Sequence, residues 1–231
     1  MENYLMNKRR LMTEGKQIDI YPSFEPNSPV IYLNAVSEEG DDIYKRLREM
    51  GCENFTLAVI SSLDWDRDMS PWSAPAISKR DTPCTGGADR YLKLLTREII
   101  PMVEEELQGG ITCRAIAGYS LAGLFAVYAL YCTNAFTRAA SMSGSLWFPG
   151  FKEYVFSHEM MVCPDRIYFS LGDGECRSKD PYLQTVQDNT EAIYEFCKNN
   201  GIDAVFRLNK GGHFKNVIGR TAEGLRWILG K

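Results

Sequence analysis

The chain has 231 residues, 45% of them hydrophobic, with a formal charge of −4 and an isoelectric point near 5.4. An acidic chain with no stretch that clusters basic and aromatic residues lacks the surface a polyanion needs, so no nucleic-acid partner is expected, and Lys8-Arg9-Arg10 reads as a solvated edge. No run approaches the roughly 18 apolar residues that cross a bilayer, and the polar start MENYLMNKRR lacks the apolar core of a signal peptide, so the expectation is a cytoplasmic protein without a membrane partner.

Residues 1–23 read as an edge hairpin or extended arm, with Gln17 to Tyr21 alternating as a half-buried strand does. Pro22, Pro26 and Pro29 break the chain into turns, and the apolar run Pro29 to Val36 then predicts a central parallel strand. A helix is predicted from Asp41 to Met50 and a second central strand from Phe55 to Ser61. The segment that follows, LDWDRDMSPWSAPAISKRDTPCTGG, is too long and too rich in Trp, Pro and Asp to be only a connection. It lies after a strand's carboxyl end, where an α/β sheet holds its ligand, which makes Trp65, Arg67, Asp68 and Trp72 candidates for pocket lining or, for the tryptophans, for pinning the loop.

Helical spacing runs from Gly87 to Leu107, with Pro101 implying a kink. Further strands are predicted at Ile111 to Ala117, Phe136 to Ser143, Arg166 to Leu171 and Ala204 to Leu208, and further helices at Tyr182 to Asn199 and Phe214 to Leu229. Strands alternate with helices almost throughout, the pattern of a mostly parallel, doubly wound sheet with helices on both faces. Seven scattered cysteines contain no C-x-x-C pair, and the only histidines are His158 and His213, so free thiols are expected and neither a metal nor a cofactor. Cys176, set among charges, is the thiol best placed for reactivity.

The stretch ITCRAIAGYSLAGLFAVYAL carries the chemistry. An apolar strand turns at Gly118-Tyr119-Ser120-Leu121-Ala122-Gly123 into an apolar helix, which puts one serine on the sharp corner of a nucleophile elbow. Residues two before and two after that serine crowd each other and must be small; here they are Gly118 and Ala122, the latter standing where a glycine is usual. The Leu121 N–H, at the helix N-terminus, would be half of an oxyanion hole. A carboxylate after a later strand and a histidine after the last strand complete the chain order of Ser-acid-His hydrolases. His213, between Gly212 and a hydrophobic helix, is the expected general base, and His158 a surface residue. Glu175, in a G-x-x-acid position, is the preferred acid and Asp173 the alternative. Arg177 and Lys179 are then rim charges or a solvated face, and Trp147 and Tyr119 are candidate walls of the substrate pocket.

Beyond the elbow, the pieces LTREIIPMVEEEL, AGYSLAGLFAVY, SMSGSLWFPGF, SLGDGE and GGHFKNV resemble the esterase family that includes esterase D and the enterochelin (siderophore trilactone) esterase-like enzymes. The resemblance implies one α/β-hydrolase domain over residues 1–231 without a separate lid domain. It also implies a small-molecule ester substrate cleaved through an acyl-enzyme, enterochelin-like or a short-chain or carbohydrate ester, and it leaves a homodimer open. Leu33-Asn34-Ala35-Val36 lacks the His-Gly or Asp-Gly that often supplies the second oxyanion donor, which leaves that role to the N–H of Val36 or Ser37. An acyltransferase or peptidase on the same triad, or a binding module that has kept the fold without catalysis, are the competing readings.

Overall fold

The computed structural model describes residues 7–77 and 82–231. The chain opens as a hairpin, β1 (Arg9–Thr13) antiparallel to β2 (Lys16–Tyr21). Its two turn residues, Glu14 and Gly15, both take positive φ, 45° and 73°, the left-handed turn whose twist matches that of the flanking strands. The hairpin alternative for the N-terminal segment is therefore the one adopted, while residues 1–6 of it lie outside the described residues.

β3 (Ser28–Asn34), α1 (Gly40–Glu49) and β4 (Thr56–Ser61) follow as expected. Pro29 has no N–H to donate, and the register of β3 against its neighbour shifts between Ser28 and Val30. The Trp-rich segment holds one helical turn, α2 (Trp65–Asp68), and a short ribbon of β5 (Ser73–Ala74) and β6 (Cys84–Thr85). The next helix is not continuous: α3 (Ala88–Leu94) passes through a π turn (Leu95–Ile99) into α4 (Ile100–Glu105). Pro101 is the physical reason, because its ring crowds the carbonyl four residues back and it offers no N–H, which the wider turn accommodates.

β7 (Ile111–Tyr119) leads into α5 (Leu121–Cys132), followed by β8 (Arg138–Met142), α6 (Phe151–Ser157) and β9 (Arg166–Gly172). The predicted helix at 182–199 divides into α7 (Pro181–Gln184), capped by Asp180, and α8 (Val186–Asn199). β10 (Asp203–Asn209) and α9 (Val217–Ile228) close the chain. The last helix starts three residues later than Phe214, because Asn216 sits in the left-handed region at φ 58° and turns the preceding loop back over the sheet.

The eight-stranded sheet has the order β1-β2-β4-β3-β7-β8-β9-β10, with β4 through β10 parallel and the hairpin antiparallel at one edge. On one face Ile43, Leu47 and Leu225 of α1 and α9 pack on Leu33, Leu57 and Ala117. On the other, Tyr91, Leu95, Phe125 and Ile193 pack on Tyr32, Ile116 and Phe169. α5 is buried from Leu121 to Tyr131, so a helix without a polar face is explained by its central place in the second layer. This is the α/β-hydrolase architecture, and among the described residues no lid domain covers the carboxyl edge of the sheet. No helix among those residues is long and apolar enough to cross a membrane.

Candidate active site

The corner at Ser120 has the strain its sequence demands: φ is 59° and ψ −124°, outside the regions an L-residue prefers. A Cβ on Gly118 would lie 2.4 Å from Ala122, which explains why nothing larger than glycine fits there. Gly123 is equally constrained from the other side, since its Cβ would meet the Gly144 Cα at 2.9 Å. The methyl of Ala122 takes the space that Gly118 leaves open, and Gly123 packs against Gly144 in the loop after β8.

His213 comes from the loop between β10 and α9 and is brought 93 residues back along the chain to the serine, its Nε2 3.1 Å from Ser120 Oγ. Its Nδ1 lies 2.7 Å from Glu175 Oε2. An Nδ1–H donated to the carboxylate leaves Nε2 free to accept the serine proton, the tautomer a general base needs. The loop carrying the imidazole is pinned from below, where the Tyr119 hydroxyl donates to the His213 backbone carbonyl at 2.6 Å. Tyr119 also lines the cavity beside the serine.

Glu175, of the two candidate acids, is the one that reaches the imidazole. Its Oε1 accepts from the Gly172 N–H at 2.6 Å and the Ser143 hydroxyl at 2.7 Å, with the Arg220 guanidinium 3.3 Å away. Burial pushes this carboxyl up, but the hydrogen bonds from His213, Gly172 and Ser143 outweigh it and hold the group below the ordinary carboxylate value of 4.5. The alternative, Asp173, is turned elsewhere: its Oδ1 accepts the Gly211 N–H at 2.8 Å, so it ties the acid loop to the histidine loop and does not reach the imidazole.

Arg220 belongs to this site without having been singled out by the sequence. It is 3% exposed in α9, and its Nη1 lies 3.2 Å from the Tyr119 and Ser143 hydroxyl oxygens while Nη2 donates to the Lys210 carbonyl at 3.3 Å. The signal was available, because Arg220, Gly224 and Ile228 fall on one helical stripe that is otherwise apolar, and a charge there needs a buried partner. The same holds for Ser145. It is 2% exposed, donates its N–H to the Ser120 carbonyl at 3.0 Å and places its Oγ 3.5 Å from Ser120 Oγ.

Two cavities meet at Ser120 and His213. The smaller, about 330 Å³, is lined by Val36 and Ser37 together with Tyr119, and the larger, about 640 Å³, by Leu121, Ser145 and Trp147. Trp65 and Phe214 border both. Leu121 is the first residue of α5, so its N–H has no acceptor within the helix. The Ala35 N–H is spent on Ile60 O at 2.9 Å, whereas among the described residues nothing accepts from the Val36 N–H.

The other pocket candidates lie elsewhere. Asp68 is 4% exposed and its Oδ2 is taken by Lys16 Nζ and the Asp64 N–H, while Arg67 pairs with Asp64 and Asp68; both line a separate polar cleft behind α2. A buried carboxylate must find such partners, and these leave it none for a ligand. Trp72 donates Nε1–H to Pro149 O at 2.9 Å and packs edge-on against Phe148, so it pins the loop. Arg177 and Lys179 are exposed and border neither cavity, and His158 is exposed, stacked on Tyr154. Cys176 is half-buried with its thiol 3.7 Å from Gln187 Oε1, and all seven cysteines are free. No cluster of three metal-ligating side chains occurs among the described residues.

With this geometry in place, residues 37–216 match the family model described as "Putative esterase". The chain belongs to that family. This esterase-family chain is 27% identical over 172 residues to an uncharacterized protein of Bacillus subtilis (strain 168), YbbA, covering 71% of this chain and 69% of that protein. Its fold is similar to that of an IroE-like serine hydrolase from Shewanella oneidensis (TM-score 0.76, 17% identity, 95% of this chain and 78% of the other). It is also similar to that of the siderophore hydrolase EstB from Aspergillus nidulans (TM-score 0.66, 18% identity, 94% and 92%).

Proposed function

We propose that this esterase-family protein cleaves a carboxylic ester through an acyl-enzyme on Ser120. The observation that carries the reading is the unbroken line Ser120 Oγ, His213, Glu175, with 3.1 and 2.7 Å between the hydrogen-bonding atoms. His213 Nε2 takes the hydroxyl proton as Oγ attacks the ester carbonyl, and the oxyanion that forms is received by the N–H groups of Leu121 and of Val36 or Ser37. The imidazolium then protonates the leaving alcohol, and the same nitrogen activates the water that releases the acid. Glu175 keeps the imidazole in its tautomer and stabilises the imidazolium, while Arg220, Ser143 and the Gly172 N–H hold Glu175 in place. The names of the neighbours suggest a siderophore-type ester; short-chain and carbohydrate esters are the other classes the family resemblance allows.

Incubation with a fluorophosphonate probe tests the reading without knowing the substrate. One phosphonyl group should be found by peptide mass spectrometry on Ser120, at a rate that falls when His213 is replaced by alanine. An unlabelled Ser120, in protein shown to be folded, would leave a binding module that has kept the fold.

A further inference from the structure

The loop after β8 runs Ser143-Gly144-Ser145, and of its two hydroxyls the triad uses only that of Ser143, which donates to Glu175. Ser145 has its backbone fixed on the nucleophile. Its N–H donates to the Ser120 carbonyl and its own carbonyl accepts from the Phe148 N–H, both at 3.0 Å. Gly144 is packed so closely that a Cβ there would fall 2.1 Å from Ser141 Oγ, which leaves the loop no room to shift. The Ser145 side chain is 2% exposed, yet it borders the larger cavity together with Ser120 and His213. Among the described residues its hydroxyl has one partner, Ser120 Oγ, at 3.5 Å, long for an O–H···O bond. A buried hydroxyl held rigidly beside the nucleophile, with its hydrogen-bonding capacity unspent, is completed by an atom of the substrate.

The sheet order selects that atom. β7 carries the nucleophile between β3 and β8, so Val36 and Ser37, which follow β3, and Ser145, which follows β8, stand on opposite sides of Ser120. A carbon bonded to Oγ carries its two other oxygens within the shell that a hydroxyl 3.5 Å from Oγ reaches with an ordinary bond of about 2.7 Å. With the oxyanion received at Leu121 and on the β3 side, the oxygen toward β8 is that of the alcohol. Resting on the serine-esterase reading, we infer that Ser145 is a further catalytic residue whose hydroxyl, with His213 Nε2, holds the oxygen that leaves as alcohol and the water oxygen that replaces it. In acylation the bond between the acyl carbon and the alcohol oxygen breaks, the imidazolium proton passes to that oxygen, and the Ser145 hydroxyl donates to the charge it gathers. In deacylation a water in the same place gives a proton to Nε2 and bonds to the acyl carbon; the bond to Oγ then breaks and Oγ takes the proton back. Ser145 keeps its own proton throughout.

Esters that differ in how much help the alcohol needs to leave provide the test. p-Nitrophenolate is stable without a proton and ethoxide is not, so ethyl acetate depends far more on the groups that receive the alcohol oxygen. In the full-length protein, Ser145→Ala should lower kcat/KM at least ~10-fold more for ethyl acetate than for p-nitrophenyl acetate. Deacylation of acetyl-Ser120, followed by stopped flow after mixing with p-nitrophenyl acetate, should slow at least ~10-fold in the same variant. Circular dichroism checks that the variant is folded, and if it is not, Ser145→Cys, of similar size and a weak donor, carries the same comparison. Equal losses on the two esters, no loss on either, or deacylation within about three-fold of the wild type would overturn the role of Ser145 while leaving Ser120 as nucleophile. If the wild type turns over neither ester and Ser120 accepts no fluorophosphonate, the parent reading fails instead.

Discussion

Two buried carboxylates, Asp68 at the end of α2 and Glu175 in the loop after β9, each lie beside a cation, yet only Glu175 faces an imidazole. Asp68 meets Lys16, Arg67 and the Asp64 N–H, so both its oxygens are claimed by fixed donors. Glu175 meets Arg220, Ser143 and the Gly172 N–H on Oε1 alone, which leaves Oε2 to His213. Burial and a neighbouring cation therefore do not separate an acid that is tied off on all sides from the one proposed to act in catalysis. What distinguishes them is whether one oxygen is kept for a group that must change its protonation state.

The predictions that probe this contrast run from the nucleophile outward. Ser120→Ala should lower kcat for any accepted ester by at least ~1,000-fold, because the triad members act as a unit. Glu175→Gln should cost about 100- to 10,000-fold in kcat with KM little changed, since the amide no longer fixes the imidazole tautomer. Asp173→Asn should cost less than ~10-fold, and a larger loss at Asp173 than at Glu175 would reverse the assignment of the acid. Asp68→Asn is the matched control: it breaks a buried ion pair and should destabilise the fold by about 3 kcal/mol in urea titration, yet leave kcat within about three-fold. If Asp68→Asn proved as damaging to kcat as Glu175→Gln, the distinction between the two carboxylates would collapse.

The smallest effect lies in acid stability. Glu175 is held below its ordinary value of 4.5 in the folded chain, so its ionised form adds stability that is complete above that value and is lost as the pH falls through the folded one. The midpoint of thermal unfolding of the wild type should therefore fall more steeply below about pH 4.5 than that of Glu175→Gln, which has no carboxyl to protonate there. Parallel curves would show that the hydrogen bonds around Glu175 do not favour its charged form.

Much of the site was legible before the fold was seen, because each part has a local signature. The elbow needs small residues around one serine, and Gly118, Ala122 and Gly123 are there; a G-x-x-acid turn and a histidine after the last strand follow in order. The Trp-rich segment after β4 is legible as ligand-side chain but not residue by residue, since Trp65 borders the cavities while Trp72, seven residues further on, turns onto Pro149 and Phe148.

The amino-acid sequence by itself determined the alternation of strand and helix, the small residues crowded around Ser120 and the place of His213 after the last strand, and it left the acid between Glu175 and Asp173, because periodicity and crowding act between residues close along the chain. Only the tertiary structure decided that Asp173 ties two loops together, that Asp68 is spent on Lys16, and that Arg220 stands behind the acid. Those outcomes depend on which buried donors meet which oxygens across distances of 38 to 52 residues along the chain, and desolvation, which makes such pairings obligatory, acts only once the core has closed.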